Sequence, residues 1–214
     1  MNRRQVLKNL GMGVGFLMVG PTTISLLQSC KNDPSFNWEP TFLSAINGFA
    51  LKQILEVILP KTDTPGASDL NLAQFIDSYL DEVASEDYQE NFKINADAFA
   101  KAFKNEFNKV QGKGSNQEYV KIVTKYLKAS PKEQELFAKR ITETDDRKDW
   151  YPEEELEYDS GTYAYLRNIR DLGIWAWKTS EQIGEEVLWY DPLPGEFIGC
   201  IDISNYGNGK TMSL

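Results

Sequence analysis

Histidine does not occur anywhere in the 214 residues, and cysteine occurs only twice, at Cys30 and Cys200. Without histidine the chain has no Ser–His or Cys–His nucleophile pair and none of the common zinc sites. Covalent haem attachment through a cysteine pair followed by histidine is excluded as well. Positive charge is also scarce: 23 Lys and Arg face 32 Asp and Glu, a net charge of −9. The first 29 residues hold three of those bases (Arg3, Arg4, Lys8) and no acid, which leaves 20 bases against 32 acids in the remainder. Such a balance argues against nucleic acid as a partner and against electrostatic attachment to anionic lipid. There is no phosphate-cradling glycine loop, no dinucleotide fingerprint and no internal repeat.

A long hydrophobic run is missing too. A membrane-spanning helix needs roughly 20 predominantly apolar residues. The stretch from Leu10 to Leu27 is diluted by Gly11, Gly13, Gly15, Gly20, Pro21, Thr22, Thr23 and Ser25. What stands there instead reads as an export signal. Arg3-Arg4, with Leu7 and Lys8 behind them, has the spacing of a twin-arginine signal, and Leu27-Gln28-Ser29-Cys30 reads as a lipoprotein cleavage box. The expected organisation is a signal peptide over 1–29, a tether lipidated at Cys30 over 30–40, and one domain over 41–214. The tether, KNDPSFNWEP after the cysteine, is polar and proline-containing. A cysteine with two or more acyl chains holds a protein stably at a bilayer, where one chain does not. The expected location is the periplasm or cell envelope, reached in the folded state. With Cys30 modified, Cys200 is the only thiol, so neither an internal disulfide nor an iron–sulfur cluster can form. We expect Cys200 to be buried and unpaired, the alternative being a disulfide to another chain.

The 185 residues after the signal suit one domain, large enough to bury roughly 70% of its unfolded surface. Their hydrophobic periodicity is helical almost throughout. Phe42, Ile46, Phe49, Ala50, Ile54, Val57 and Ile58 mark a first helix over 42–59, stopped by Pro60. A loop follows, with Pro65-Gly66 placed for a tight turn, and Asp69 is positioned to cap a helix carrying Leu72, Phe75, Ile76, Tyr79 and Leu80. From Glu86 to Val110, Tyr88, Phe92, Ala96, Phe99, Phe103, Phe107 and Val110 form a single stripe, which reads as core rather than as a cofactor pocket. Gly112-Lys113-Gly114-Ser115 breaks that helix, and Tyr119, Ile122, Val123, Tyr126 and Leu127 begin another. Ser130-Pro131-Lys132-Glu133 has the pattern of a capping box with proline at the first helical position, followed by Leu136, Phe137 and Ile141.

Residues 142–159 read as an acidic loop, with Asp145-Asp146 and Glu153-Glu154-Glu155. The run lacks the alternating ligands and glycine of a calcium loop and reads as solvated surface. A last long helix is expected over 161–180, bearing Tyr163, Leu166, Ile169, Ile174 and Trp177. The tail from Gly184 is apolar and aromatic but punctuated by Pro192, Pro194, Gly195 and Gly199, so it reads as a non-helical strap. It either packs on the helical core or seats a partner. The expected fold is thus all-α: a single-domain bundle of about five to six helices with an extended C-terminal strap.

Three blocks of residues, ILPKTDTPGASD (58–69), LGIWAWKTSEQIG (172–184) and WYDPLPGEFIGC (189–200), resemble the gluconate 2-dehydrogenase subunit 3 family in order and spacing. In that family a helical small subunit accompanies a flavin-containing sugar or sugar-acid dehydrogenase, and a twin-arginine signal belongs to the pattern. The resemblance implies a non-catalytic chain that binds no cofactor or metal of its own, FAD being held by the large subunit. That large subunit is the implied partner, with a cytochrome c or another acceptor collecting the electrons. No catalytic residue carries over. Thr64, Pro65 and Gly66, and Trp189, Tyr190, Pro192, Pro194 and Gly195, are the candidates for partner contact. The alternative is a stand-alone envelope lipoprotein that binds sugar through exposed tryptophans such as Trp150, Trp175 or Trp189, or scaffolds an assembly.

Overall fold

The computed structural model describes residues 38–145 and 158–191, together with 195, 200, 202, 204 and 207–213. Arg3, Arg4, Leu7, Lys8 and Cys30, the acidic run Glu153–Glu157, Trp150, Pro192 and Pro194 lie outside the described residues. The chain divides into two units, Met1–Ser35 and Phe36–Leu214, and every described residue belongs to the second. Among the described residues there are six α-helices and no strand, and no helix is long and apolar enough to cross a membrane.

The helices are α1 (Ala45–Ile58), α2 (Leu72–Glu82), α3 (Glu86–Phe107), α4 (Asn116–Leu127), α5 (Pro131–Asp145) and α6 (Tyr158–Thr179). Helix α1 starts three residues later than its periodicity suggests, because the backbone before it has another partner. The buried carboxylate of Asp77, on α2, accepts from the N–H of Thr41 (2.7 Å), Phe42 (3.4 Å) and Leu43 (2.9 Å) and from the Thr41 hydroxyl (3.1 Å). Ser44 then caps α1, its hydroxyl accepting from Asn47 N–H. Helix α3 stops at Asn108, whose left-handed backbone (φ 53°) lets its N–H donate to Lys104 O at 2.8 Å. Val110 therefore leaves the aromatic stripe and faces water. The Ser130–Glu133 capping box forms as its spacing implies, and a second one, not read from the sequence, forms at Ser115 and Glu118. Glu118 accepts from Ser115 N–H at 2.8 Å, and Glu133 accepts from Ser130 N–H at 2.8 Å.

Three further boundaries differ from the sequence reading. Helix α5 runs on to Asp145 and α6 already starts at Tyr158, so both ends of the expected acidic loop are helical. Asp159, in the first turn of α6, suits a helix N-terminus and accepts a 2.6 Å hydrogen bond from the Tyr126 hydroxyl. At the other end, α6 gives way to a π-helical turn, Gln182–Val187, so the strap begins at about Leu188 rather than at Gly184.

Helix α6 packs against each of the other five and forms the centre of the core. Its buried face is Tyr163, Tyr165, Leu166, Ile169, Gly173 and Ala176. Phe92 and Phe99 of α3 meet Tyr165 at ring-centroid distances of 5.2 and 5.3 Å, and Phe103 meets Tyr119 of α4 at 5.1 Å. The aromatic stripe is core. Burial pushes the Tyr119 and Tyr165 phenols well above their ordinary range, for Tyr119 with further push from nearby Tyr165 and Glu118, so both stay neutral. Two glycines let α6 approach its neighbours: a Cβ on Gly161 would lie 2.6 Å from Ala98 Cβ, and one on Gly173 would lie 2.6 Å from Leu55 Cδ2. The core stripe thus passes through Gly173 and Ala176, and Ile174, expected inside, is exposed. Phe75 and Leu136, also expected to be apolar contacts, are exposed on α2 and α5.

Candidate functional site

The loop between α1 and α2 carries the first group of candidate contact residues, and its conformation is fixed from several sides. Ala67 N–H donates to Leu59 O at 2.9 Å, closing the loop across Pro60–Gly66. This bond replaces the tight turn expected at Pro65-Gly66. Gly66 is needed for a different reason, close backbone approach: a Cβ there would stand 2.5 Å from Lys61 N and 2.9 Å from Lys61 Cα. Asp69 does not cap α2. Its carboxylate accepts from Gly66 N–H at 2.9 Å and pairs with Lys61 Nζ at 2.8 Å. The Lys61 ammonium first, and the Gly66 N–H second, hold the Asp69 carboxyl below its usual range.

Residues 66–70 form one helical turn that ends in a left-handed stop at Asn71 (φ 52°). Leu72 N–H donates to Ala67 O at 3.0 Å and Asn71 N–H to Ser68 O at 3.3 Å, the bond pair of a left-handed C-cap. Helix α2 therefore begins directly after a helix stop, with Asn71 at its cap position and no side-chain cap bond.

A tryptophan seals the loop from the far end of the chain. Trp177, on α6, donates its indole N–H to Pro65 O at 2.8 Å across 112 residues. The first two sequence blocks, 58–69 and 172–184, are thereby one structural unit. Periodicity identified Trp177 only as core, since it gives no sign of the indole's polar edge. Thr64 and Pro65 are half-buried, Gly66 is buried, and the tip residues Pro60 to Asp63 are exposed.

The strap carries the second group. Trp189 is pinned by its backbone: its N–H donates to Thr211 O at 2.9 Å and its carbonyl accepts from Ser213 N–H at 2.7 Å. Its indole lies against Gly207, where a Cβ would come within 2.8 Å of the ring. Lys210 Nζ reaches Glu186 O at 3.1 Å and ties this closure to the π-helical turn. Trp189 is therefore half-buried and serves to close a loop, while Tyr190 (51% exposed) and Gly195 (φ 69°) face water. Cys200 is free and exposed, which corrects the expectation of a buried thiol. The bend that carries it lies in the loop closed by Trp189 and Met212, outside the helical core.

A small cavity of about 90 Å³ opens beside the first loop, lined by Trp38, Lys52, Leu55, Ala67, Ser68, Asn71, Ala73 and Gln74. Cofactor and drug-sized pockets run to roughly 300–1,000 Å³, so this one does not take a flavin dinucleotide. No group of three or more acidic or cysteine side chains placed to hold a metal occurs among the described residues.

A family model described as gluconate 2-dehydrogenase subunit 3 matches residues 48–195. The match takes in both blocks joined by Trp177 and reaches Gly195 of the strap. No curated protein and no solved structure matches the chain.

Proposed function

This chain belongs to the gluconate 2-dehydrogenase subunit 3 family, and we propose on that premise that it is the non-catalytic small subunit of an FAD-dependent (GMC-type) sugar or sugar-acid dehydrogenase. The reading rests on the family match over residues 48–195. In this reading the large subunit holds the FAD and removes hydride from the sugar, and a cytochrome c or another acceptor takes the electrons. The small subunit stabilises the folded flavoprotein, supplies the twin-arginine signal for both, and tethers the pair to the envelope through lipid at Cys30.

The test is to recover the tagged full-length chain, processed in its own cells, from the envelope in mild detergent. A stoichiometric partner with flavin absorbance that oxidises a sugar or aldonate supports the reading. Labelling by a radioactive fatty acid that is lost in Cys30→Ser supports the tether, and cytoplasmic retention of Arg3→Lys/Arg4→Lys supports the export route. A colourless eluate with no partner refutes the subunit role. Tryptophan fluorescence that then responds to saccharides would favour the stand-alone lipoprotein instead.

A further inference from the structure

The family match begins at residue 48, yet the chain engages the core before that point. Residues 38–43 form no helix, but they bear on three helices and one loop. Trp38 is half-buried and packs against the core. It lines the small cavity together with Lys52 and Leu55 of α1 and with Ala67 and Ser68 of the α1–α2 loop. Thr41, Phe42 and Leu43 donate their N–H groups to the Asp77 carboxylate of α2. The Phe42 ring meets Phe92 of α3 edge-on at 6.4 Å, and the Lys93 ammonium stands 4.4 Å from the centre of the same ring.

The entry segment and α2 depend on each other. Asp77 is 1% exposed, and a carboxylate buried to that degree is costly unless donors surround it. Its donors come from residues 41–43, which sit in no helix or strand and would otherwise need water for their N–H groups. Helix α2 also lacks a side-chain cap at Asn71, so its first turn leans on the 66–70 turn before it. That turn is held by Ala67 N–H to Leu59 O (2.9 Å), Ser68 N–H to Glu56 (3.0 Å) and Leu72 N–H to Ala67 O (3.0 Å). Trp38 stands beside the same two residues, Ala67 and Ser68. The entry segment therefore grips α2 twice, at its middle through Asp77 and at its approach through Trp38.

We infer that residues 38–43 are a two-point clasp on the α1–α2 loop, and that clasp and loop open together as one unit. Trp38 against the 66–70 turn and Thr41–Leu43 on Asp77 keep the loop in register with α2. When the clasp leaves, the loop that carries Thr64, Pro65 and Gly66 loosens while the core of α3, α4 and α6 stays closed. The segment by which the chain enters the domain thus controls the conformation of the candidate contact loop. This holds independently of what the loop contacts.

The experiment is amide hydrogen exchange on the full-length chain, followed by mass spectrometry in three segments: the clasp (38–44), the loop (60–72) and α4 (116–127). Trp38→Ala, and Asp77→Asn, which sets an amide N–H against the backbone donors, each speed exchange in the loop about tenfold and leave α4 unchanged. Trp38→Phe keeps a ring beside the turn and stays within about twofold of wild type in every segment. Coupling is reciprocal, so Gly66→Ala, which disturbs the loop from within, speeds exchange in the clasp as well. This arm leaves Trp38 and Asp77 intact and decides the question even where their variants do not fold. Folded Trp38→Ala and Asp77→Asn chains with wild-type exchange in the loop overturn the inference. So does an equal rise in the loop and in α4, which marks general destabilisation, and so does a Gly66→Ala chain whose clasp exchanges at the wild-type rate.

Discussion

Replacing Gly66 with alanine tests whether the α1–α2 loop is held by backbone contact. The added methyl would stand 2.5 Å from Lys61 N and 2.9 Å from Pro60 C, and neither atom can rotate aside as a side chain would. The loop has to move as a whole. It is held by Ala67 N–H to Leu59 O (2.9 Å), Gly66 N–H to Asp69 (2.9 Å) and Trp177 Nε1–H to Pro65 O (2.8 Å). Overpacking costs about 1–3 kcal/mol, and a backbone neighbour places this case at the upper end, about 2–3 kcal/mol. For a domain of this size that lowers Tm by about 5–10 °C. Trp177→Phe removes the indole donor together with part of a ring packed on the core, and costs about 1–3 kcal/mol. If the loop shifts as described, that bond is already weakened in Gly66→Ala, and the double variant is less destabilised than the sum by about 0.5–1 kcal/mol. Urea denaturation of the four proteins, followed by circular dichroism, completes the cycle. A cost below about 0.5 kcal/mol for Gly66→Ala, or strict additivity with Trp177→Phe, would refute the mechanical link between the two family blocks.

Two further predictions concern groups that the core either leaves unpaired or pairs closely. The Tyr165 hydroxyl is buried with no hydrogen-bond partner among the described residues, so Tyr165→Phe removes an unmet desolvation cost and raises stability by about 1 kcal/mol. Tyr126→Phe breaks the 2.6 Å bond to Asp159 and lowers stability by about 1–2 kcal/mol, so opposite signs are expected in the same melting experiment. Glu118 titrates at about 2 in the folded chain, drawn down from 4.5 chiefly by the Lys109 ammonium and then by Ser115 N–H. A depressed folded pKa gives stability that is complete above the unfolded value and is lost as pH falls from about 4.5 toward 2. Glu118→Gln should therefore flatten the Tm-against-pH curve in that interval and leave its shape above it unchanged; an unchanged acid limb would show that the cap adds nothing.

The order of helices was readable because its breaks have local chemistry behind them: Pro60, the 112–115 glycine pair, and the Ser–Glu cap at Ser130. The core of α3 was readable because its stripe is made of large rings. The core of α6 was readable only in its first half, where Tyr163, Leu166 and Ile169 mark the buried side. Beyond Ile169 the buried side continues through Gly173 and Ala176, which give almost no hydrophobic signal, so the apolar pattern points to Ile174 on the outer face. Helices cross closely where residues are small, so apolar size misleads there. The loop residues Thr64 to Gly66 were legible as a motif, but their anchors were not. Trp177, Asp69 and Leu59 act through single backbone bonds that leave no periodic trace.

Helix α2 carries different chemistry on opposite faces. Inward, Asp77 gathers three backbone N–H groups from residues 41–43 and so latches the start of the domain onto the helix. A carboxylate with this many donors holds the chain far more firmly than apolar contact by Phe42 alone would. Outward, the same helix presents Phe75 and Tyr79, only two residues to either side of that latch in sequence. Under the proposed lipidation at Cys30, eleven residues lead to Thr41, a span of at most about 40 Å even fully extended. The latch fixes where the chain enters the fold, because residues 41–43 are held at one point on α2.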